Sequence, residues 1–210
     1  ARGGSRWRTC WHDLRPGARA VELTLLPGLT LLGALLALDG TSLGQTMVSR
    51  PLVAGVLAGW ALGDPALGLL VGGILEFYFL PVFPVGGGEF PEGGPPAVVA
   101  VAAAVALPGP GGLALGALLG LLWSRLGTAS SLVLRRVNGR LVADPGREEV
   151  APARIVGAQL AALGLDFARG GLLTLAGLIV GGGLANALSG TWPLGGAATV
   201  GVLALGASVP

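Results

Sequence analysis

Between Pro51 and Trp123 the chain carries no lysine or arginine, yet four carboxylates, Asp64, Glu76, Glu89 and Glu92, stand in that stretch. The residues around them are apolar runs broken by Gly and Pro. An acidic side chain there has no opposite charge nearby in sequence, and burying it unpaired is costly. The chain as a whole is 52% hydrophobic and 11% charged, with a mean hydropathy of +0.77. A soluble domain carries about 25% charged residues, so the solvent implied for most of this chain is a bilayer. Ionisable groups at membrane depth default to a ligand or ion pathway. The stretch Asp39–Pro96 is therefore the candidate site.

Composition narrows the function further. All 13 cations are arginine, and they are segregated rather than spread. No aromatic-interleaved basic patch supports nucleic-acid binding. One cysteine, Cys10, excludes an internal disulfide. Cys10, His12 and Asp13 fall short of a metal site, so no metal is expected. No nucleophile elbow, Walker loop or HExxH motif occurs, and neither an enzymatic centre nor a cofactor is expected.

Taken in order, residues 1–20 hold five arginines and no apolar run, and are expected to be a disordered basic tail outside the fold. Residues 21–210 form the membrane-embedded domain. The run 21–38 has the length of one crossing and ends in the turn-like cluster Asp39-Gly40-Thr41-Ser42. Pro51–Gly63 opens on Arg50-Pro51 and closes on Gly63-Asp64-Pro65, good boundary signals for a helix. Thirteen helical residues reach only about 20 Å, short of the ~30 Å hydrocarbon core. This piece reads as a half-helix or re-entrant segment, and Ala66–Leu80 is similarly short. Residues 84–96, rich in Gly and Pro, are not expected to form a regular helix. A helix, a tight turn at 108–112 and a second helix follow to residue 124. Arg125–Arg154, with six arginines, reads as an aqueous loop, with a short surface helix at 151–165. The apolar segments 170–188 and 194–209 complete the plan, and the chain stops in mid-pattern, as a C-terminally truncated one would. Arginines before the first span and in 125–154 point to the cytoplasmic side.

Residues 68–88 and 177–197 align without a gap at an offset of 109, with nine identities in twenty-one. Each copy is an apolar helix with a glycine pair, then a break, then Pro-x-Gly-Gly. Repeats of this kind in transporters often have opposite membrane orientation, and the site lies where they meet. Asn186 then falls one residue past the equivalent of Glu76. The plainer reading is that these glycines only allow close helix packing.

Among the candidates, Glu76 is expected to accept hydrogen bonds from ligand hydroxyls, against a structural pair with Arg50. Asp39 and Gln45 follow the first span and can serve hydroxyls, against turn capping for Asp39. Asp64 reads as an N-cap ahead of Pro65. Arg50 pairs with a carboxylate or snorkels to headgroups. Glu89 and Glu92 line a pore or are simply solvated. Trp60, Phe77, Tyr78 and Phe79 stack on a ring or, more plainly, pack.

The pattern Asp39, Gln45, Arg50-Pro51-Leu52, Leu62-Gly63-Asp64, Gly72-Gly73 and Leu75-Glu76, followed by PVGG and a Pro-rich loop, resembles enzyme IIC of the mannose/fructose/sorbose class of the bacterial phosphotransferase system. The resemblance covers residues 32–100; from 101 on only the hydropathy plan supports it. It implies an all-α polytopic permease subunit of the bacterial cytoplasmic membrane, with short or re-entrant helices. It also implies a IID membrane partner, assembly into oligomers of IIC/IID pairs, and cytoplasmic IIA and IIB proteins that relay phosphate to the incoming hexose or amino sugar. On this reading Glu76, Asp39 and Gln45 contact sugar hydroxyls, with Arg50 and, from the repeat, Asn186 beside them. The arginine-rich front end and the early stop depart from the family plan. The competing readings are an ion-coupled secondary transporter working through Glu76 and Asp64, and a non-transporting membrane scaffold.

Overall fold

The computed structural model describes residues 23–81, 90–107, 109–142 and 152–189. The described residues form six α-helices and no strand: α1 (Leu26–Thr41), α2 (Pro51–Ala61), α3 (Pro65–Phe79), α4 (Gly94–Ala106), α5 (Pro110–Val142) and α6 (Pro152–Leu188). The basic tail with Cys10, His12 and Asp13, residue Glu89, the segment 194–209 and the ends of the two repeat copies, 82–88 and 190–197, lie outside them.

Proline sets most of the starts. Pro51 and Pro65 each occupy the first position of a helix, where the missing N–H removes no bond and the fixed φ is already helical. Arg50, held extended before Pro51, cannot continue a helix backwards. The turn between α2 and α3 closes on Gly63, whose φ of +80° only glycine adopts cheaply. Asp64 Oδ1 then accepts the Leu67 N–H at 2.9 Å and caps α3.

Helix α4 is the centre. It packs against all five other helices, and every residue of it except Val105 is buried. Its sequence, GPPAVVAVAAAVA, explains how: Ala and Val side chains are short enough for five neighbours to approach one axis. Around it α2 and α3 form a tight antiparallel hairpin. Gly55 and Gly59 on α2 face Gly68 and Gly72 on α3, two GxxxG patterns in register. A Cβ added at Gly55 would stand 2.8 Å from the Gly72 Cα, and one at Gly59 would stand 2.8 Å from the Gly68 Cα. The two backbones touch with no side chain between them. Similarly, α1 packs on α6 through Gly33, Ala34 and Ala37 against Gly170 and Thr174.

Two helices are long and apolar enough to cross a membrane, within Gly111–Arg140 and over Pro152–Leu188; the others are shorter. Only 28% of each apolar window is buried, the reverse of a soluble protein's core helix. Large apolar side chains such as Trp60, Phe77, Leu172 and Ile179 point outward, each more than 60% exposed.

Four expectations need correction. Residues 125–142 are not a loop: α5 continues through Arg125, Arg135, Arg136 and Arg140 to Val142. The surface helix at 151–165 and the span at 170–188 are one helix of 37 residues, because nothing between them breaks the ladder. The Gly/Pro stretch 84–96 contributes the first turn of α4, with Gly94-Pro95-Pro96 at positions where no intrahelical N–H is needed. Finally, α1 runs two residues past Asp39, so the chain turns only at Ser42.

Candidate functional site

A cavity of about 500 Å³ opens where the end of α1, the loop 42–50, the segment before α4 and the middle of α5 meet. Its polar lining comes from Asp39, Thr41, Gln45, Ser49, Arg50, Glu92, Thr128, Ser131 and Arg135, and its apolar lining from Leu36, Met47, Phe90 and Leu132. That volume and mixed lining suit a small-molecule site.

The loop that walls one side is tied down by Asp39. Its Oδ1 accepts the Thr46 N–H at 2.8 Å and the Thr46 hydroxyl at 2.6 Å, and its Oδ2 accepts the Ser49 N–H at 2.9 Å. Asp39 lies past the apolar run 21–38. Burial raises its pKa, but the bonds from Thr46 and Ser49 outweigh that and lower it from 3.8 to about 2. Within the loop, Gln45 and Met47 have φ of 48° and 65°, the left-handed region that non-glycine residues rarely adopt. Strain of this kind persists only where surrounding bonds enforce it. Here the enforcing bonds are those of Asp39, and the effect is to turn Gln45 and Met47 to the cavity. The sequence suggests broken backbone at Asp39, beside Gln45. The residue instead sits in the last turn of α1 and acts on the loop from below.

Arg50 and Glu76 are joined directly. Arg50 Nη1 donates to Glu76 Oε1 at 2.7 Å, and Glu76 Oε2 lies 3.4 Å from the Leu52 N–H. The pair bridges the start of α2 to the last turns of α3. Arg50 lines the cavity and Glu76 does not. The carboxylate without a partner nearby in sequence thus finds one twenty-six residues upstream. Asn186 is exposed near the end of α6 and takes no part in the cavity. Trp60 and Phe77 face outward, while Tyr78 and Phe79 pack inward, and none of these four lines the cavity. Among the described residues, no group of three or more His, Cys, Asp or Glu could hold a metal ion.

Glu92 lines the cavity and is also the end of a buried network that sequence reasoning missed. Arg169 Nη1 and Nη2 donate to Glu92 Oε2 and Oε1, both at 2.8 Å, a two-pronged fork. The Arg169 Nε donates to Asp166 Oδ1 at 3.0 Å, and Nη1 also reaches the Ser130 hydroxyl at 2.9 Å. Asp166 Oδ2 accepts the hydroxyls of Ser42, at 2.6 Å, and Thr41. Side-chain exposures of 10%, 9% and 2% for Arg169, Glu92 and Asp166 place the group in the interior. The signal for it is an i,i+3 Asp/Arg pair in an otherwise apolar run. That signal is faint because the partners lie 77 and 124 residues away.

The described residues are all helical, with two apolar helices long enough to cross a membrane and a polar cavity of a size that suits a small molecule. Residues 26–143, more than half of the chain, match the family described as PTS system sorbose-specific IIC component. The chain belongs to this family, and with it to the permease components of the phosphotransferase system that serve sugar transport. No curated protein matches the chain.

Proposed function

We propose that the chain is the sugar-translocating membrane subunit of a phosphoenolpyruvate-dependent phosphotransferase system, and that the cavity between α1, α4 and α5 is its sugar site. The observation that carries this is the convergence of Gln45, Arg50, Glu92, Thr128 and Ser131 on one cavity of about 500 Å³ inside the family-matched region. Carboxylate, amide, guanidinium and hydroxyl groups together can accept from and donate to vicinal hydroxyls. Phe90 offers an apolar surface for a ring face. In this reading Gln45, Arg50 and Glu92 touch the sugar. Asp39 acts by shaping the loop, and Glu76 by aiming the Arg50 guanidinium. Asn186 is not part of the site.

The short α2–α3 hairpin enters the membrane without crossing it, since 11 and 15 residues span only about 17 and 22 Å. The arginine-bearing end of α5 faces the cytoplasm, following the positive-inside bias. There, IIA- and IIB-type phosphocarriers deliver the phosphoryl group, and a IID-type subunit completes the complex within the membrane. The glycine pairs of α3 and α6 are the remnant of an inverted repeat. In this reading the phosphoryl transfer belongs to the partners, and the work of this chain is binding and release of the sugar.

The test is reconstitution of the chain with its partner subunits in vesicles. Phosphoenolpyruvate-dependent appearance of sugar phosphate is the expected outcome, with Gln45→Ala raising the half-saturating sugar concentration about tenfold, the equivalent of one good hydrogen bond. Accumulation of free sugar that collapses with the proton gradient and ignores phosphoenolpyruvate would replace this reading with ion-coupled transport.

A further inference from the structure

The network around Arg169 holds more charge than packing requires. Two carboxylates and one guanidinium stand in the interior, where replacement of a buried ion pair by apolar residues is often neutral or stabilising. Four separate parts of the chain supply it: the end of α1 through Thr41 and Ser42, the segment before α4 through Glu92, α5 through Ser130, and α6 through Asp166 and Arg169. Three of its neighbours, Thr41, Glu92 and Thr128, are cavity wall, whereas Asp166 and Arg169 are not. The Glu92 N–H donates to the Thr128 hydroxyl at 3.2 Å, so the backbone of this wall is fixed as well as its side chain. Gly127 leaves the space the carboxylate occupies; a Cβ there would stand 3.1 Å from the Glu92 Cβ.

From this geometry we infer that Arg169 is a positioning residue for the cavity: its fork fixes the Glu92 carboxylate plane, and through Asp166 it fixes the α1 end from which the Gln45 loop departs. Each Glu92 oxygen accepts one guanidinium N–H. With the plane fixed, the lone-pair direction left on the cavity side is fixed with it, ready to accept a ligand hydroxyl. Arg169 never touches the ligand. It sets affinity by holding ready the groups that do, which removes the ordering cost at binding. The inference rests on the sugar-site reading above.

The experiment compares Arg169→Lys, Ser130→Ala and Leu178→Ala in the full chain, assembled with its partner membrane subunit in lipid discs. Binding of D-mannose, D-fructose and L-sorbose and the thermal midpoint are both measured. Lysine keeps the charge but loses the fork. Arg169→Lys is expected to weaken binding of the preferred sugar about tenfold or more, and Ser130→Ala about twofold to fivefold. Leu178→Ala, a core truncation outside the cavity lining, lowers the midpoint and leaves affinity in place. If Arg169→Lys does not assemble, Ser130→Ala alone decides. Unchanged affinity in the Arg169 and Ser130 variants overturns the inference and leaves the sugar site standing. The inference is equally overturned if affinity falls only in step with the midpoint, Leu178→Ala included. Failure of the wild-type assembly to bind any of the three sugars removes the site and the inference together.

Discussion

Asp39 fastens three donors of one loop with two oxygens, and the shape of the loop follows from those three bonds. Because those bonds depress its pKa, the stability they lend is fully present above the ordinary carboxylate value of 3.8 and is lost as pH falls through about 2. The loop therefore keeps its anchor across any physiological pH. Asp39→Asn retains one acceptor oxygen and puts an NH₂ where the other accepts an N–H or hydroxyl. The left-handed Gln45 and Met47 then lose the support that offsets their strain, of order 1–3 kcal/mol each. Hydrogen exchange at the amides of Thr46 and Ser49 is expected to rise by about tenfold or more in Asp39→Asn while the amides of α4 stay protected. Equal exchange in the two proteins would mean that the loop is held by something else.

At the scale of elements, the α2–α3 hairpin depends on the absence of side chains. Gly55, Gly59, Gly68 and Gly72 let the two backbones meet, and Asp64 caps the second helix directly after the turn. Gly68→Val places branched carbon against the Gly59 Cα, from which even a Cβ would stand 2.8 Å away, so the helices must separate. Overpacking of this kind costs about 1–3 kcal/mol. A fall of several degrees in the thermal midpoint of the detergent-solubilised protein is expected. Gly73→Ala on the same helix, where a Cβ meets nothing within 4 Å, should leave the midpoint unchanged or slightly raised. If both variants behave alike, the hairpin is not held by close backbone contact. The Arg50–Glu76 pair then joins the same two helices at the cavity end, and it is the only ion pair between them among the described residues.

At the scale of the whole molecule, the described residues form a bundle in which one helix of small residues, buried but for Val105, is surrounded by five others, while large apolar side chains are left outside. That inversion suits lipid rather than water as the surrounding solvent. The chain is expected to remain with the membrane fraction after alkaline carbonate washing and to leave it only with detergent; release by carbonate would overturn the proposal that α5 and α6 cross the bilayer. Much of this plan was legible in the residues themselves. Apolar runs, Pro at helix starts and Gly at helix ends marked short helices at 51–63 and 66–80, found at 51–61 and 65–79, and the break at 108–112, because those signals act through neighbours in the chain. The family, too, could be read from the pattern between Asp39 and Glu76. Pairing was legible only in part: the Arg50–Glu76 pair stood as the alternative to ligand contact, while the Arg169 partner of Glu92 was not foreseen. Charge counted along the chain made Glu76 and Glu92 look unaccompanied, and made 125–142 look like a loop. In the fold, Arg50 meets the first carboxylate and Arg169 the second, while the arginines of α5 ride an unbroken helix. Helix starts and stops are decided by steric and hydrogen-bond rules a few residues long. Which carboxylate meets which guanidinium is decided by how helices far apart in sequence come to lie against α4, and that is a property of the packed bundle alone.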